Sequence, residues 1–137
     1  MHISLKRQSG AHFIAENEQG VRVDVDGPES VGGENKGVRP MQMVLVGLAG
    51  CMSVDILHIL HKGRFDVDDL TIDVDATRVD AIPAVFDTIA LTVKGKGSFS
   101  EAKLVRAVDL SLEKYCSVAQ MLAGGGVKVT ATASLMD

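Results

Sequence analysis

The chain has 137 residues, of which 46% are hydrophobic and 23% are charged, and its formal net charge is -4. This length suits one domain with its own core and is short for two, so we expect a single domain over residues 1–137. The mildly acidic, interspersed charge disfavours a nucleic-acid surface, and the apolar content is too high for disorder. The first ten residues, MHISLKRQSG, lack an apolar signal segment, which predicts a cytoplasmic, soluble globular protein.

The first third of the chain has the pattern of short strands. The segments HISLKR, AHFIAEN and VRVDVDG are separated by QSG at 8–10 and EQG at 18–20, both of which are compatible with tight turns. This arrangement predicts an antiparallel meander. A glycine-rich loop, GPESVGGENKGVRP, then occupies residues 27–40.

The longest apolar run, MQMVLVGLAGCMSVDILHIL, covers residues 41–60. Pro40 suits the first turn of a helix and Lys62-Gly63 suits its end, so we predict a helix over roughly 41–62. Its length matches a membrane span, but Asp55 near its centre would be costly in lipid, and we expect no membrane insertion. A helix that is apolar on all sides must be buried on all sides, and six short strands with one further helix are too few to bury it. We therefore predict a homodimer, in which a partner subunit covers the rest of the helix.

The second half of the chain begins with a predicted hairpin. Apolar and polar residues alternate over 70–77 and again over 89–93, which is the period-two pattern of half-buried strands, and 81–84 form the turn. Ser98 and Glu101 have the spacing of a capping box, followed by an amphipathic helix over roughly 99–115.

The chain closes with a short helix and a last strand. Ser117 is predicted to cap the helix VAQML, and the three glycines at 124–126 lead into VKVTATA. The resulting order, β-β-β-α-β-β-α-β, predicts an α+β fold.

Three polar side chains lie on one face of the long helix: Cys51, Asp55 and His58. Each has a structural interpretation, because free cysteines are usually buried and single histidines are usually core or boundary groups. Cys51, Asp55, His58 and His61 also offer donor types that bind metals, but their spacing matches no tight-binding motif. We therefore expect no metal and no cofactor.

The second cysteine, Cys116, lies 65 residues after the first, just before the predicted short helix. Unpaired N–H groups and the helix dipole at that position favour a thiolate. Since the cytoplasm keeps thiols reduced, a permanent disulfide is not expected, and two free or redox-active thiols remain open.

Three segments together resemble the OsmC/Ohr family of thiol-dependent peroxidases and their relatives. They are VRPMQMVLVGLAGCMSVDIL with the first cysteine, PAVFDTI in the hairpin, and RAVDLSLEKYCSVAQML with the second cysteine. The resemblance covers essentially the whole chain. It implies an intertwined homodimer in which antiparallel sheets wrap the long central helices.

The resemblance also implies a mechanism. The first cysteine, matched by Cys51, attacks an organic hydroperoxide and becomes a sulfenic acid. The second, matched by Cys116, condenses with it to a disulfide, which an external dithiol reduces. An arginine from the N-terminal strands assists the nucleophile, and its match here is Arg7, with Arg39 and Arg22 as rivals.

One departure from the family pattern bears on activity. The peroxidases carry a glutamate at the start of the long helix, where this chain has Met41. We therefore expect a thiol peroxidase with Cys51, Cys116, Arg39 and Arg7 as its site residues. The alternative is a non-catalytic protein that binds an apolar small molecule at the dimer interface.

Overall fold

The computed structural model describes residues 1–137, which fall into two compact units, 1–46 and 47–137. The strands are β1 (Ile3–Ser9), β2 (His12–Asn17), β3 (Arg22–Val25), β4 (Val67–Arg78), β5 (Phe86–Gly97) and β6 (Lys128–Leu135), and the helices are α1 (Pro40–Lys62), α2 (Glu101–Leu110) and α3 (Ser117–Gly124). The α+β class and the order of the elements are confirmed. The expectation of a single domain stays a prediction.

The N-terminal unit is built on the predicted antiparallel meander. Strand β2 lies between β1 and β3, with Leu5 opposite Ala15 and Ala15 opposite Val23. Both turns contain a glycine with positive φ, Gly10 at +48° and Gly20 at +78°, a conformation that side chains with a Cβ rarely adopt. The turn residues identified in the sequence therefore set the strand boundaries.

The glycine-rich loop after β3 is organised around the buried carboxylate of Asp26. Its oxygens accept hydrogen bonds from the backbone N–H groups of Gly27, Glu34 and Lys36, at 2.7, 3.1 and 3.1 Å. Burial by itself would raise the pKa of Asp26, but these three bonds and the nearby His12 outweigh it and hold the pKa below the usual 3.8. The loop contains one short 3-10 helix, Glu29–Val31, and the Asp26 carboxylate fixes the backbone on both sides of it.

The C-terminal unit contains a three-stranded sheet with β5 in the centre. Strand β4 pairs with β5 in antiparallel fashion, which confirms the predicted hairpin, and both strands are longer than predicted. Strand β6 pairs with β5 in parallel, so the expectation of purely antiparallel sheets is wrong here. The connection explains this pairing. Between β5 and β6 the chain passes through α2 and α3, and a long helical crossover of this kind is the usual connection between parallel strands.

The predicted caps of the two later helices are each displaced. The N-cap of α2 is Ser100, which accepts from Lys103 N–H, whereas Ser98 accepts from Asp66 N–H and ties the start of β4 to the end of β5. The α2 helix then widens into a π-helical turn over Ser111–Tyr115. The cap of α3 is Cys116 and not Ser117.

Helix α1 contributes one buried stripe to the core of the C-terminal unit. Leu48, Met52, Ile56 and Leu60 recur every four residues and are at most 2% exposed. They share the core with residues from β5 and α2, namely Ile89, Leu91, Val93, Leu104, Ala107 and Val108. By length and composition α1 could cross a membrane, with a mean hydropathy of 2.0 over an 18-residue window of which 22% is buried within one chain.

We predict that Asp26→Asn lowers the melting temperature at neutral pH, because an amide cannot accept three N–H groups as a carboxylate does. Since the folded pKa of Asp26 is depressed, its stabilisation is present above 3.8 and is lost as pH falls through the lower folded pKa. The difference from wild type should therefore shrink below pH 4, about the ordinary carboxyl range, in thermal melts followed by circular dichroism.

The matched control is Glu34→Gln, which removes the same charge from the same loop. The Glu34 carboxylate lies in an exposed ion pair with Lys36 at 3.3 Å, and only its backbone N–H reaches Asp26. Equal losses in the two variants at neutral pH would contradict the role given to Asp26.

Candidate functional site

The two cysteines of the chain lie side by side in the C-terminal unit. Cys51 is half-buried in the middle of α1, and Cys116 is fully buried at the start of α3. Their sulfur atoms and a carboxylate oxygen of Asp55 all lie within 4.8 Å of one another. Residues 65 positions apart in sequence therefore form one local cluster.

Local structure explains how each member of the cluster is positioned. Cys51 and Asp55 are one helical turn apart on α1 and so lie on the same face. The buried Ser111, in the π-helical turn, donates its hydroxyl to Asp55 Oδ2 at 2.9 Å, and its carbonyl accepts from Cys116 N–H at 2.7 Å. A single serine thus fixes both the carboxylate and the backbone of the second cysteine.

The thiol of Cys116 is held in its neutral form. Its sulfur accepts a hydrogen bond from Ala119 N–H at 3.3 Å, as expected at a helix N-cap. Burial raises the pKa of Cys116 to about 11, the Ala119 bond opposes this rise, and the adjacent Cys51 thiol adds to it. The prediction that the helix start makes Cys116 a thiolate is therefore wrong, because desolvation outweighs the N–H groups.

An open cavity of about 590 Å³ lies beside the cluster. It shares Asp55 with the cluster and is otherwise lined by His58, Ile59, Lys62, Gly63, Leu110 and Tyr115. The apolar side chains of Ile59 and Leu110 lie along it, while His58 and Lys62 supply polar atoms. The cavity is thus amphipathic, and His58 belongs to it and not to the cluster.

The metal-ligand set considered from the sequence is not the one assembled. His58 and His61 lie outside the group of convergent donor atoms, and Cys116 takes their place beside Cys51 and Asp55. Ser111 was missed as well: it falls inside a predicted helix, and nothing in its sequence context marks a buried serine that binds a residue 56 positions earlier.

The predicted arginines belong to the N-terminal unit. Arg7 Nε donates to the carbonyl of Gly10 at 2.8 Å, and Arg39 Nη2 donates to Asn35 Oδ1 at 3.4 Å. The other rival, Arg22, is paired with Glu16 at 2.7 Å. The role of an arginine beside Cys51 stays a prediction.

The protein thus has an α+β fold with a paired-cysteine site. One thiol lies on the long helix α1, and the second, buried thiol lies beside it. The family model for OsmC-like protein matches residues 33–132 of this chain. The chain therefore belongs to the OsmC family, and the resemblance identified from its sequence is confirmed.

Individual relatives agree with this assignment. Protein YhfA of Escherichia coli strain K12 is 39% identical over 124 residues, which cover 89% of each chain. A hypothetical protein from Aquifex aeolicus is 31% identical, with a TM-score of 0.80 over 99% of this chain and 97% of its own. The organic hydroperoxide resistance protein OsmC of Legionella pneumophila shares the fold, with a TM-score of 0.71 and 20% identity over 98% of this chain and 97% of its own.

We predict that Cys51→Ala lowers the pKa of Cys116 from about 11, because the substitution removes a thiol that raises it. The pKa should remain above the ordinary thiol value of 9.0, since burial is the larger cause and persists. Thiolate absorbance in the ultraviolet, followed against pH, measures the pKa of Cys116 in the wild type and in the variant. An unchanged pKa in the variant would show that the two thiols do not interact.

Proposed function

We propose that the protein is a cytoplasmic, cysteine-based peroxidase that reduces organic hydroperoxides. The observation that supports it best is the proximity of the Cys51 and Cys116 sulfurs, which lie within 4.8 Å of each other in the reduced protein. A disulfide has an S–S length of about 2.05 Å. A shift of under about 3 Å, shared between two helix segments, therefore closes the bond.

The reaction proceeds in three balanced steps. The Cys51 thiolate attacks the terminal oxygen of the hydroperoxide and the O–O bond breaks, so that Cys51 becomes a sulfenic acid; the alkoxide takes up the proton that the Cys51 thiol had released and leaves as the alcohol. The Cys116 sulfur then attacks the Cys51 sulfur, forming the disulfide and releasing water. An external dithiol finally reduces the disulfide and is itself oxidised.

The environments of the two thiols support this division of roles. Cys51 is half-buried and so lies within reach of an incoming substrate, whereas Cys116 is fully buried. A thiol with a pKa of about 11 is protonated at neutral pH and is a poor first nucleophile. It is suited to the second step, in which the electrophile is already formed beside it.

The substrate would enter through the cavity beside Asp55. Ile59, Leu110 and Tyr115 offer apolar surface for the organic part of a hydroperoxide. Because Met41 supplies no carboxylate at the start of α1, activation of Cys51 would depend on Arg39 or Arg7, the cations assigned to that role by family resemblance.

We predict that reduced wild-type protein consumes an alkyl hydroperoxide and acquires a Cys51–Cys116 disulfide. Cys51→Ser should lose at least about a hundredfold in rate, because the nucleophile is absent. Cys116→Ser should react once and accumulate a sulfenic acid, since nothing resolves it. Peroxide loss and peptide mass mapping, followed together, distinguish these outcomes.

The control for unspecific effects is Ser53→Ala, in the same helix, whose hydroxyl bonds only to the carbonyl of Gly50 at 2.7 Å. It should react as wild type does. Thiols that remain intact after minutes with excess hydroperoxide would overturn the enzymatic proposal.

A homodimer is part of the proposal. The face of α1 opposite its buried stripe is exposed within one chain and includes Gly47, Gly50 and Val54, the last 65% exposed. Two glycines on an apolar face allow close approach of another helix. Cys51 lies about 40° around the helix from Gly47, so a partner on this face would border the thiol.

We predict that the protein elutes as a dimer at micromolar concentration in size-exclusion chromatography with light scattering. Val54→Asp should shift it toward monomer, because burying an unpaired carboxylate at an interface is costly. Val105→Asp, at an exposed site of α2, should leave the dimer intact. A wild-type protein that is monomeric under these conditions would contradict the proposal.

The second candidate function is binding of an apolar small molecule without turnover. The cavity of about 590 Å³ and the absence of a carboxylate at Met41 favour it. Under this alternative the two thiols survive hydroperoxide treatment, so the same assay separates the two functions.

A further inference from the structure

We propose that the reduced thiol pair is also a binding site for a soft divalent metal ion such as Zn²⁺, held by Cys51 Sγ, Cys116 Sγ and one oxygen of Asp55. Only the regulatory part of this proposal rests on the proposed peroxidase function, because the ion would bind the same Cys51 that attacks the hydroperoxide. The donor atoms themselves are observed independently of any reaction.

The geometry of the three donor atoms fits a tetrahedral ion. Typical bonds are about 2.3 Å from zinc to sulfur and 2.0–2.2 Å from zinc to oxygen, which places two sulfur ligands about 3.8 Å apart. The three donors already lie within 4.8 Å of one another. A contraction of at most about 1.2 Å therefore brings each pair to bonding geometry.

The chemistry of the donors selects the class of metal. Two thiolates and one carboxylate suit zinc and similar soft or borderline ions, whereas magnesium and calcium prefer sets made only of oxygen ligands. Three protein ligands leave the fourth tetrahedral position for water, as in open zinc sites. Asp55 also lines the cavity, so that position has access to solvent.

The carboxylate is oriented by a neighbour that is not itself a ligand. Ser111 is fully buried and donates to Asp55 Oδ2 at 2.9 Å, which orients the carboxylate and leaves its remaining lone pairs for the ion. Ser111 also accepts from Cys116 N–H, so the same residue positions two of the three ligands. Hydrogen-bonded support of this kind is typical of protein metal sites.

Metal binding has a direct consequence for the thiols. Both must release their protons to become ligands, and the electron pair of Cys51 that would attack a peroxide is then shared with the ion. The reduced pair would be protected from oxidation while the ion is bound. Oxidation to the disulfide would in turn remove two ligands and release it.

The test uses Co²⁺ as a spectroscopic substitute for Zn²⁺, added without oxygen to fully reduced, chelator-free full-length protein. One equivalent should give thiolate-to-cobalt charge-transfer absorption in the near ultraviolet, and Zn²⁺ should displace it. Cys51→Ser and Cys116→Ser should each abolish the band, and Asp55→Asn should weaken affinity by about 10- to 100-fold.

Two controls keep the result interpretable. His61→Ala removes an exposed imidazole on the same helix and should leave the band and the affinity unchanged. Wild-type protein oxidised to the disulfide should show no band, which tests the site without any substitution. Cobalt binding without a charge-transfer band, or a band that survives Cys116→Ser, would overturn the proposal.

The outcomes also separate this inference from the peroxidase proposal. Wild-type protein that consumes hydroperoxide but binds no metal overturns the metal site alone. Protein that binds metal through both thiols but does not react with hydroperoxide overturns the peroxidase function alone. If both hold, Zn²⁺ should slow hydroperoxide consumption and a chelator should restore it.

Discussion

The hydrogen bonds of Ser111 are the contacts on which the thiol site depends. Through its hydroxyl the serine holds Asp55 on α1, and through its carbonyl it holds the backbone of Cys116. Helix α1 and the segment before α3 are thereby fixed at the point where the two sulfurs meet. Without this link, proximity of the thiols would rest on apolar packing alone, which does not specify the direction of a polar side chain.

The same site shows how burial assigns different chemistry to two identical side chains. Cys116 is fully buried, burial penalises a negative charge, and the hydrogen bond that its sulfur accepts from Ala119 N–H does not compensate. Cys51, on the neighbouring helix α1, is only half-buried and keeps contact with solvent. This difference in burial, and not a difference in residue type, is the basis for proposing that Cys51 attacks and Cys116 resolves.

Much of the fold was predictable because its signals are local. Period-two alternation located β4 and β5, and Pro40 with Lys62-Gly63 bounded α1 within one or two residues. The parallel pairing of β6, the π-helical turn and the buried Ser111 were not predictable, since each depends on partners far along the chain. Cys51 and Cys116 were identified as candidates from family resemblance, but their spatial relation to Asp55 required the structure.

The path of the chain between the two cysteines has a thermodynamic consequence. Strands β4 and β5 and helix α2 all lie in the segment from Cys51 to Cys116. A disulfide there would close a loop of some 65 residues and, by lowering the entropy of the unfolded chain, destabilise that chain by about 4 kcal/mol of free energy in the loop-closure treatment. Oxidation of the two thiols would then stabilise most of the C-terminal unit against unfolding. The stability of this unit would therefore depend on the redox state of the site.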